Sequence, residues 1–331
     1  MDKRLFVKHA IRLIGVAWFI YIMIQIDLQS VFFFALSIDP IFTVILIALM
    51  IPILFLKGAR WQVISRGLNL RLSTVEAVDA LCLAQMTNLI VPGSLGDFVR
   101  VPYLTSRGNP TDQSILSLFI DATISVIVPY TVAVLAIIEI FNIPLEWDTI
   151  IIPAIWILGG YVVFKIIRST IWPWFLEARI QKLNTGISGE LLFTLRDNLK
   201  KIGKKRLAVS LLLSLGSWLF YTLQWFVLAY AMNLEITWFH LAISFSVVLM
   251  LTAIPITILG LGIREGVLIF MFGLVGIDTV RIISFSLILL SISFVPSAIG
   301  FISWAKDPIF EFDSISEQDK LTEDCTVEIK E

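Results

Sequence analysis

The chain has 331 residues, 58% of them hydrophobic and 15% charged, with a mean hydropathy of +0.91. Such a composition leaves too little polar surface to cover a water-soluble globule, so the chain is an integral membrane protein. A formal net charge of −1 hides a segregation, with Lys and Arg between the apolar segments and acidic residues in the last stretch, so placement carries the information. Cys82 is in an apolar segment and Cys325 in the acidic tail, and His9 and His240 stand alone. No disulfide framework, metal site or cofactor is expected from them.

The N-terminus joins a basic start to an apolar run too long for a signal-peptide core, with no small-residue cleavage site after it, and reads as a retained first span. Apolar runs long enough to cross a bilayer lie at about 11–27, 40–56, 113–140, 149–167, 207–232 and 282–304. Two further apolar regions, 74–92 and 238–259, each run into a Pro/Gly break followed by charges. The expected fold is all-α, a polytopic helical membrane protein with about six full spans and two re-entrant, broken segments.

Positive residues orient the spans. Lys3, Arg4, Lys8 and Arg12 precede the first span, while Asp27 and Asp39 follow it, so the N-terminus is expected in the cytoplasm. Lys57, Arg60, Arg66 and Arg71 are read as a basic connection after the second span, with Arg60 and Trp61 as an interfacial anchor. Glu139, Glu146 and Asp148 put the next connection outside, and the eight basic residues between Arg168 and Lys205 put the long one inside. Both broken regions must then begin and end on one side, and on opposite faces. Paired broken segments of opposed orientation are the mark of an inverted repeat and of alternating access.

The first break is in NLIVPGSLGDFVRVPY, Asn88 to Tyr103, where Pro92, Gly93 and Gly96 interrupt the helix and Asp97 and Arg100 follow. The second is in IPITILGLGIREG, Ile254 to Gly266, with Pro255, Gly260 and Gly262 before Arg264 and Glu265. Charges at membrane depth are costly, which makes these segments site candidates. Residues 168–206 set Leu183, Ile187, Leu191, Leu195 and Leu199 at four-residue spacing among basic residues, suited either to the anionic leaflet or to a solvated connector. The domain reading is a transmembrane domain over 1–306 and a disordered acidic cytoplasmic tail over 307–331.

These two motifs, with KGARWQVI at Lys57 to Ile64 and SWLFYTLQWFVLAYAMNLEI at Ser217 to Ile236, resemble the transmembrane domain of lysylphosphatidylglycerol synthases. That domain also occurs in stand-alone flippase-like membrane proteins and joined to some archaeal dolichol-linked glycosyltransferases. The chain departs from the family pattern in having Asp97 for Glu, and Asp121 with Ala122 where a Glu-Arg pair is usual. The soluble transferase domains are absent from this sequence, so the resemblance implies lipid translocation or handling.

For such a task Arg suits a phosphate, because its planar fork stays charged and binds two oxygens at once. Arg100 and Arg264 are the expected head-group ligands, Asp97 and Glu265 their orienting or proton-coupled partners, and Asn88 a further polar contact. Asp97 and Arg100 equally suit an intrahelical pair at i, i+3. Asp121, deep in its span, suits proton coupling, a pairing with Arg100 or Arg264, or a protonated carboxyl bonded to a neighbouring helix. Asn88, Gln85 and Gln224 suit helix–helix hydrogen bonds as well as substrate contact. No catalytic constellation is visible, and the Gly-rich GLGIREG follows no strand, which excludes a dinucleotide loop.

The expected function is therefore flippase-like transport or handling of an anionic or polyprenyl-phosphate-linked lipid across the cell membrane, with both termini cytoplasmic. A membrane subunit of a lipid-modifying aminoacyl or glycosyl transferase and a small-solute or ion carrier are the alternatives. Expected partners are a membrane lipid and the anionic leaflet, with a second copy or a lipid-linked glycosyltransferase left open and no nucleic acid.

Overall fold

The computed structural model describes residues 38–90, 95–140, 201–252 and 260–306, and among them all regular structure is helical. In chain order the elements are α1 Pro40–Ala48, α2 Met50–Gly67, α3 Thr74–Ile90, a 3-10 turn Leu95–Val99, α4 Arg100–Thr105, α5 Thr111–Ile140, α6 Lys204–Ala231, α7 Trp238–Thr252, α8 Ile263–Gly273 and α9 Thr279–Lys306. Pro40–Gly67, α5, α6 and α9 have the length and apolar composition to cross a membrane. The spans expected at 11–27 and 149–167, the connection 168–200 and the tail 307–331 lie outside the described residues.

One sequence expectation is corrected at the second span. The helix does not end with its apolar run near residue 56: it continues through Lys57, Arg60 and Arg66 to Gly67, so these charges ride on a helix and not in a connection. Asp39 opens it, its carboxylate accepting the Ile41 N–H at 2.9 Å ahead of Pro40. The α1/α2 junction at Leu49 has its own cause. Pro52 has no N–H to offer Ala48, and the next bond, Ile53 N–H to Leu49 O, is stretched to 3.5 Å.

The two halves repeat each other. α2 ends in a Schellman motif with Asn69 left-handed at φ 59°, the Leu70 N–H reaching back to Ser65 O. α6 ends identically, with Asn233 at φ 51° and the Leu234 N–H on Ala229 O. A hydroxyl cap then starts the next helix in each half, Ser73 for α3 and Thr237 for α7. Trp61 and Trp225, Gly96 and Gly260, and Arg100 and Arg264 extend the match, every pair separated along the chain by the same interval.

The relation is an inverted one. Phe42 meets Tyr230, Leu46 O accepts from Gln224, and Arg60 meets Ser214, so Pro40–Gly67 and its counterpart α6 run antiparallel. Packing crosses between halves in the same reciprocal way: α3 lies on α9 and α7 on α5. At the first of these crossings Gly300 sits directly on the Cys82 carbonyl, where a side chain would overlap backbone. An apolar core centred on Trp225, Phe245, Phe272 and Phe285 draws mainly on the second half and takes in Leu46, Met50 and Ile53 of the first, while a smaller one gathers around Trp61, Tyr103 and Leu104.

Candidate functional site

Asp121, on α5 and 1% exposed, takes two guanidinium groups. Arg60 of α2 donates from Nε to Oδ1 at 2.7 Å, and Arg100, the first residue of α4, donates from Nη2 to Oδ2 at 2.8 Å. Both arginines are 3% exposed. Arg60 also reaches the Ser214 hydroxyl on α6 at 3.4 Å, and Ser214 in turn donates to Ile124 O. Four helices thus converge on one carboxylate. Two guanidinium groups against one carboxylate leave these three buried side chains with a net positive charge, and an unbalanced buried ion costs several kcal/mol.

The Arg100 guanidinium lies over the Trp61 ring, 4.0 Å from its centroid, a stacking worth about 2 kcal/mol when desolvated. Trp61 is itself held by its indole N–H on the Ser117 hydroxyl at 3.3 Å. Asp121 and Trp61 therefore fix the guanidinium plane, while Arg100 Nε–H meets no acceptor among the described residues. A buried donor left unmet in a charged group is the feature an incoming oxygen would satisfy.

Asp97 does not pair with Arg100, although their spacing allowed it. The turn from Leu95 to Val99 is 3-10, and Arg100 opens the next helix facing α5. Half-buried Asp97 meets only the Asn88 side-chain amide, at 3.4 Å, among the bonds of the described residues. Asn88 also accepts the Gly96 N–H at 2.8 Å, stapling the turn to the end of α3. The approach is so close that a Cβ on Gly96 would stand 2.5 Å from the Asn88 backbone nitrogen. Pro92, Gly93 and Pro255 lie outside the described residues.

In the second half Arg264 turns to its own neighbour. Glu265, fully buried, accepts Arg264 Nε–H and Nη2–H at 3.0 and 2.8 Å and the Ser286 hydroxyl of α9 at 2.6 Å. Its other oxygen accepts the Gly262 N–H at 2.6 Å, closing the first turn of α8. Gly260 and Gly262 have φ of 72° and 87°, a left-handed pair that L side chains resist. Arg264, Glu265 and Ser286 thus form a neutral clasp between α8 and α9, separate from the Asp121 cluster.

Sequence reasoning singled out Asp121, Arg100, Arg264 and Glu265, which the structure divides between two separate clusters, and gave Arg60 no part in either. Read as an interfacial anchor, Arg60 is instead buried against Asp121. Gln224, its counterpart, makes a helix–helix bond to Leu46 O at 2.8 Å, as expected for that residue. His240, given no role by the sequence, places Nε2 2.7 Å from Met271 O.

Long apolar helices define a polytopic helical membrane protein, and a buried cationic cluster lies among them. The sequence profile of one family, the lysylphosphatidylglycerol synthase TM region, matches residues 8–300, and the chain belongs to that family. No curated protein and no solved structure matches it.

Proposed function

We propose that this protein moves a lipid with an anionic head group between the leaflets of the cell membrane, the head-group phosphate passing through the Arg60–Asp121–Arg100 cluster. The observation that carries the reading is the net positive charge buried among those three side chains, with Arg100 Nε–H unmet. Family membership supports a lipid as the cargo. Asp121 serves as the counter-ion that positions both guanidinium groups, and a phosphate oxygen takes the free Nε–H. Asp97 and Asn88 shape the turn beside it. Arg264 and Glu265 work as the clasp of the second half, and Arg264 reaches a substrate only by leaving Glu265. Placement of basic residues supports cytoplasmic termini.

The test is reconstitution of the full chain in vesicles with a panel of fluorescently labelled lipids. Arg100→Ala is expected to abolish translocation in a protein that still inserts and melts cooperatively, and Arg100→Lys to restore it in part, since Lys keeps the charge and loses the fork. Wild-type rates in Arg100→Ala would rule the assignment out.

A further inference from the structure

Among the described residues three buried side-chain atoms have no hydrogen-bond partner: Arg100 Nε, the Ser65 hydroxyl and the Ser210 hydroxyl. The first belongs to the cluster above, and the other two stand beside it. Ser65 follows Trp61 by four residues on α2 and Ser210 precedes Ser214 by four on α6, so each lies one turn, about 6 Å, from a residue that touches Arg100 or Arg60. Because α2 and α6 run antiparallel, with Ile202 seated against Gly67, both turns lead toward the same end of the helix pair.

A serine inside a helix can give its hydroxyl to the carbonyl four residues back, as Ser244 and Ser246 do at 2.8 Å. Ser65 and Ser210, both 0% exposed, do not. Packing does not call for a hydroxyl at either place, since alanine fills nearly the same space without burying an unmet donor. From Lys204 to Ser217 the buried residues of α6 are Ser210, Ser214 and Ser217, while Leu211, Leu212 and Leu215 are exposed, so the inward face of this stretch is lined with hydroxyls.

The end they lead to is basic. Arg66, Lys201, Lys204, Lys205 and Arg206 are exposed there, and no ion pair holds any of them among the described residues. Three of them begin α6, whose N-cap Gly203 has φ 81° and supplies no side-chain cap. Cations at the positive end of a helix dipole are repelled by it, and an anion offsets that repulsion. Uncapped backbone, like charges and unmet hydroxyls all weaken this end, and packed helices part first where they are weakest.

Resting on the proposed function, we infer that the head group reaches the Arg60–Asp121–Arg100 cluster from this basic end, between α2 and α6, with the Ser65 and Ser210 hydroxyls donating to its phosphate oxygens on the way. The basic residues gather the anionic lipid, and the two serines keep its phosphate hydrogen-bonded until Arg100 Nε–H takes an oxygen. The seam is shut in this structure and parts to admit the head group.

The experiment places one cysteine at a time on the route, Ser65→Cys or Ser210→Cys, in full-length Cys325→Ser protein in neutral detergent. Reaction with an anionic thiol reagent, sulfonatoethyl methanethiosulfonate, is followed by peptide mass spectrometry. Cys82, buried against Gly300 and off the route, is the internal reference. Both introduced cysteines should react faster than Cys82, and short-chain phosphatidylglycerol should slow them more than short-chain phosphatidylcholine does. Reaction no faster than at Cys82 overturns the inference, and so does reaction that phosphatidylglycerol leaves unslowed, which marks a path for water only. Equal protection by inorganic phosphate at the same concentration assigns the path to a free anion and overturns the lipid route. In vesicles Ser210→Ala, which loses no bond, should melt no lower than wild type and move lipid about fivefold more slowly, the scale of one hydrogen bond. A wild-type rate in Ser210→Ala overturns the inference and leaves the proposed function standing, whereas a wild-type protein that moves no lipid overturns both.

Discussion

The two halves of this protein share a skeleton and differ in chemistry. Asn69 and Asn233 end equivalent helices, Trp61 and Trp225 occupy equivalent buried positions, and Arg100 and Arg264 open or lead the short helix after each break. In the first half Trp61 meets the Ser117 hydroxyl and carries the Arg100 guanidinium. In the second half Trp225 packs edge-on to Phe245 and Phe285, at 5.1 and 5.4 Å between ring centroids. Counted from the start of their helices, Ser117 and Phe285 stand at the same place in α5 and α9. Arg60 in one half is Gln224 in the other. A few exchanges on a common frame thus leave one half charged around its Trp and the other aromatic, which suggests a binding half and a supporting half.

The largest expected effect of breaking that contrast is at Asp121. Asp121→Ala would strand two buried guanidinium groups and should cost about 3 to 5 kcal/mol, read as a lowered Tm in detergent. Phe285→Ala, at the centre of the aromatic half, should cost a similar 3 to 5 kcal/mol, roughly, through a cavity. The two should then separate in function: Asp121→Ala combined with Arg60→Met should recover part of the stability and no translocation.

A smaller effect is expected at Gly96. Gly96→Ala forces a Cβ onto Asn88 and should cost about 1 to 3 kcal/mol by overpacking, again visible as a lower Tm. A variant that melts like wild type would show that the turn is not held by Asn88.

The smallest lies at the mouth of α3, outside the four spans. Ser73 and Glu76 cap the helix reciprocally, Ser73 N–H donating to Glu76 at 2.7 Å and Glu76 N–H to the Ser73 hydroxyl at 3.2 Å. Hydrogen bonding from the Ser73 hydroxyl and then from its backbone holds the Glu76 carboxyl below its ordinary 4.5. A depressed folded-state value contributes stability above about pH 4.5, and that contribution fades as pH falls through the folded value. Because the Glu76 side chain is 43% exposed, Glu76→Gln should lose only a few tenths of a kcal/mol at neutral pH, roughly, and progressively less as pH falls below 4.5.

Much of the frame was legible in the sequence, because hydropathy sets span length and Pro/Gly breaks set interruptions. The spans read at 113–140, 207–232 and 282–304 correspond to α5, α6 and α9. The polar site was harder to read. Arg60 looked interfacial because charges at the end of an apolar run normally mark the membrane surface. The signal that places it inside is the repeat itself: LNL at Leu68 to Leu70 answers MNL at Met232 to Leu234, and a helix ending before Asn233 implies one ending before Asn69. Arg100 was read both as a candidate partner of Asp121 and as a neighbour of Asp97, the second because i, i+3 spacing presumes one continuous α-helix. The 3-10 turn before Arg100 breaks that presumption and directs it to Asp121.

The central claim is that anionic head groups are read by the charged half and not by the clasp of the other. It is tested most directly by measuring lipid translocation in vesicles for Arg100→Gln and Arg264→Gln side by side, each normalised to inserted, cooperatively melting protein. The account predicts no translocation by Arg100→Gln and a reduced but measurable rate for Arg264→Gln. Full activity in Arg100→Gln, or loss confined to Arg264→Gln, would contradict it.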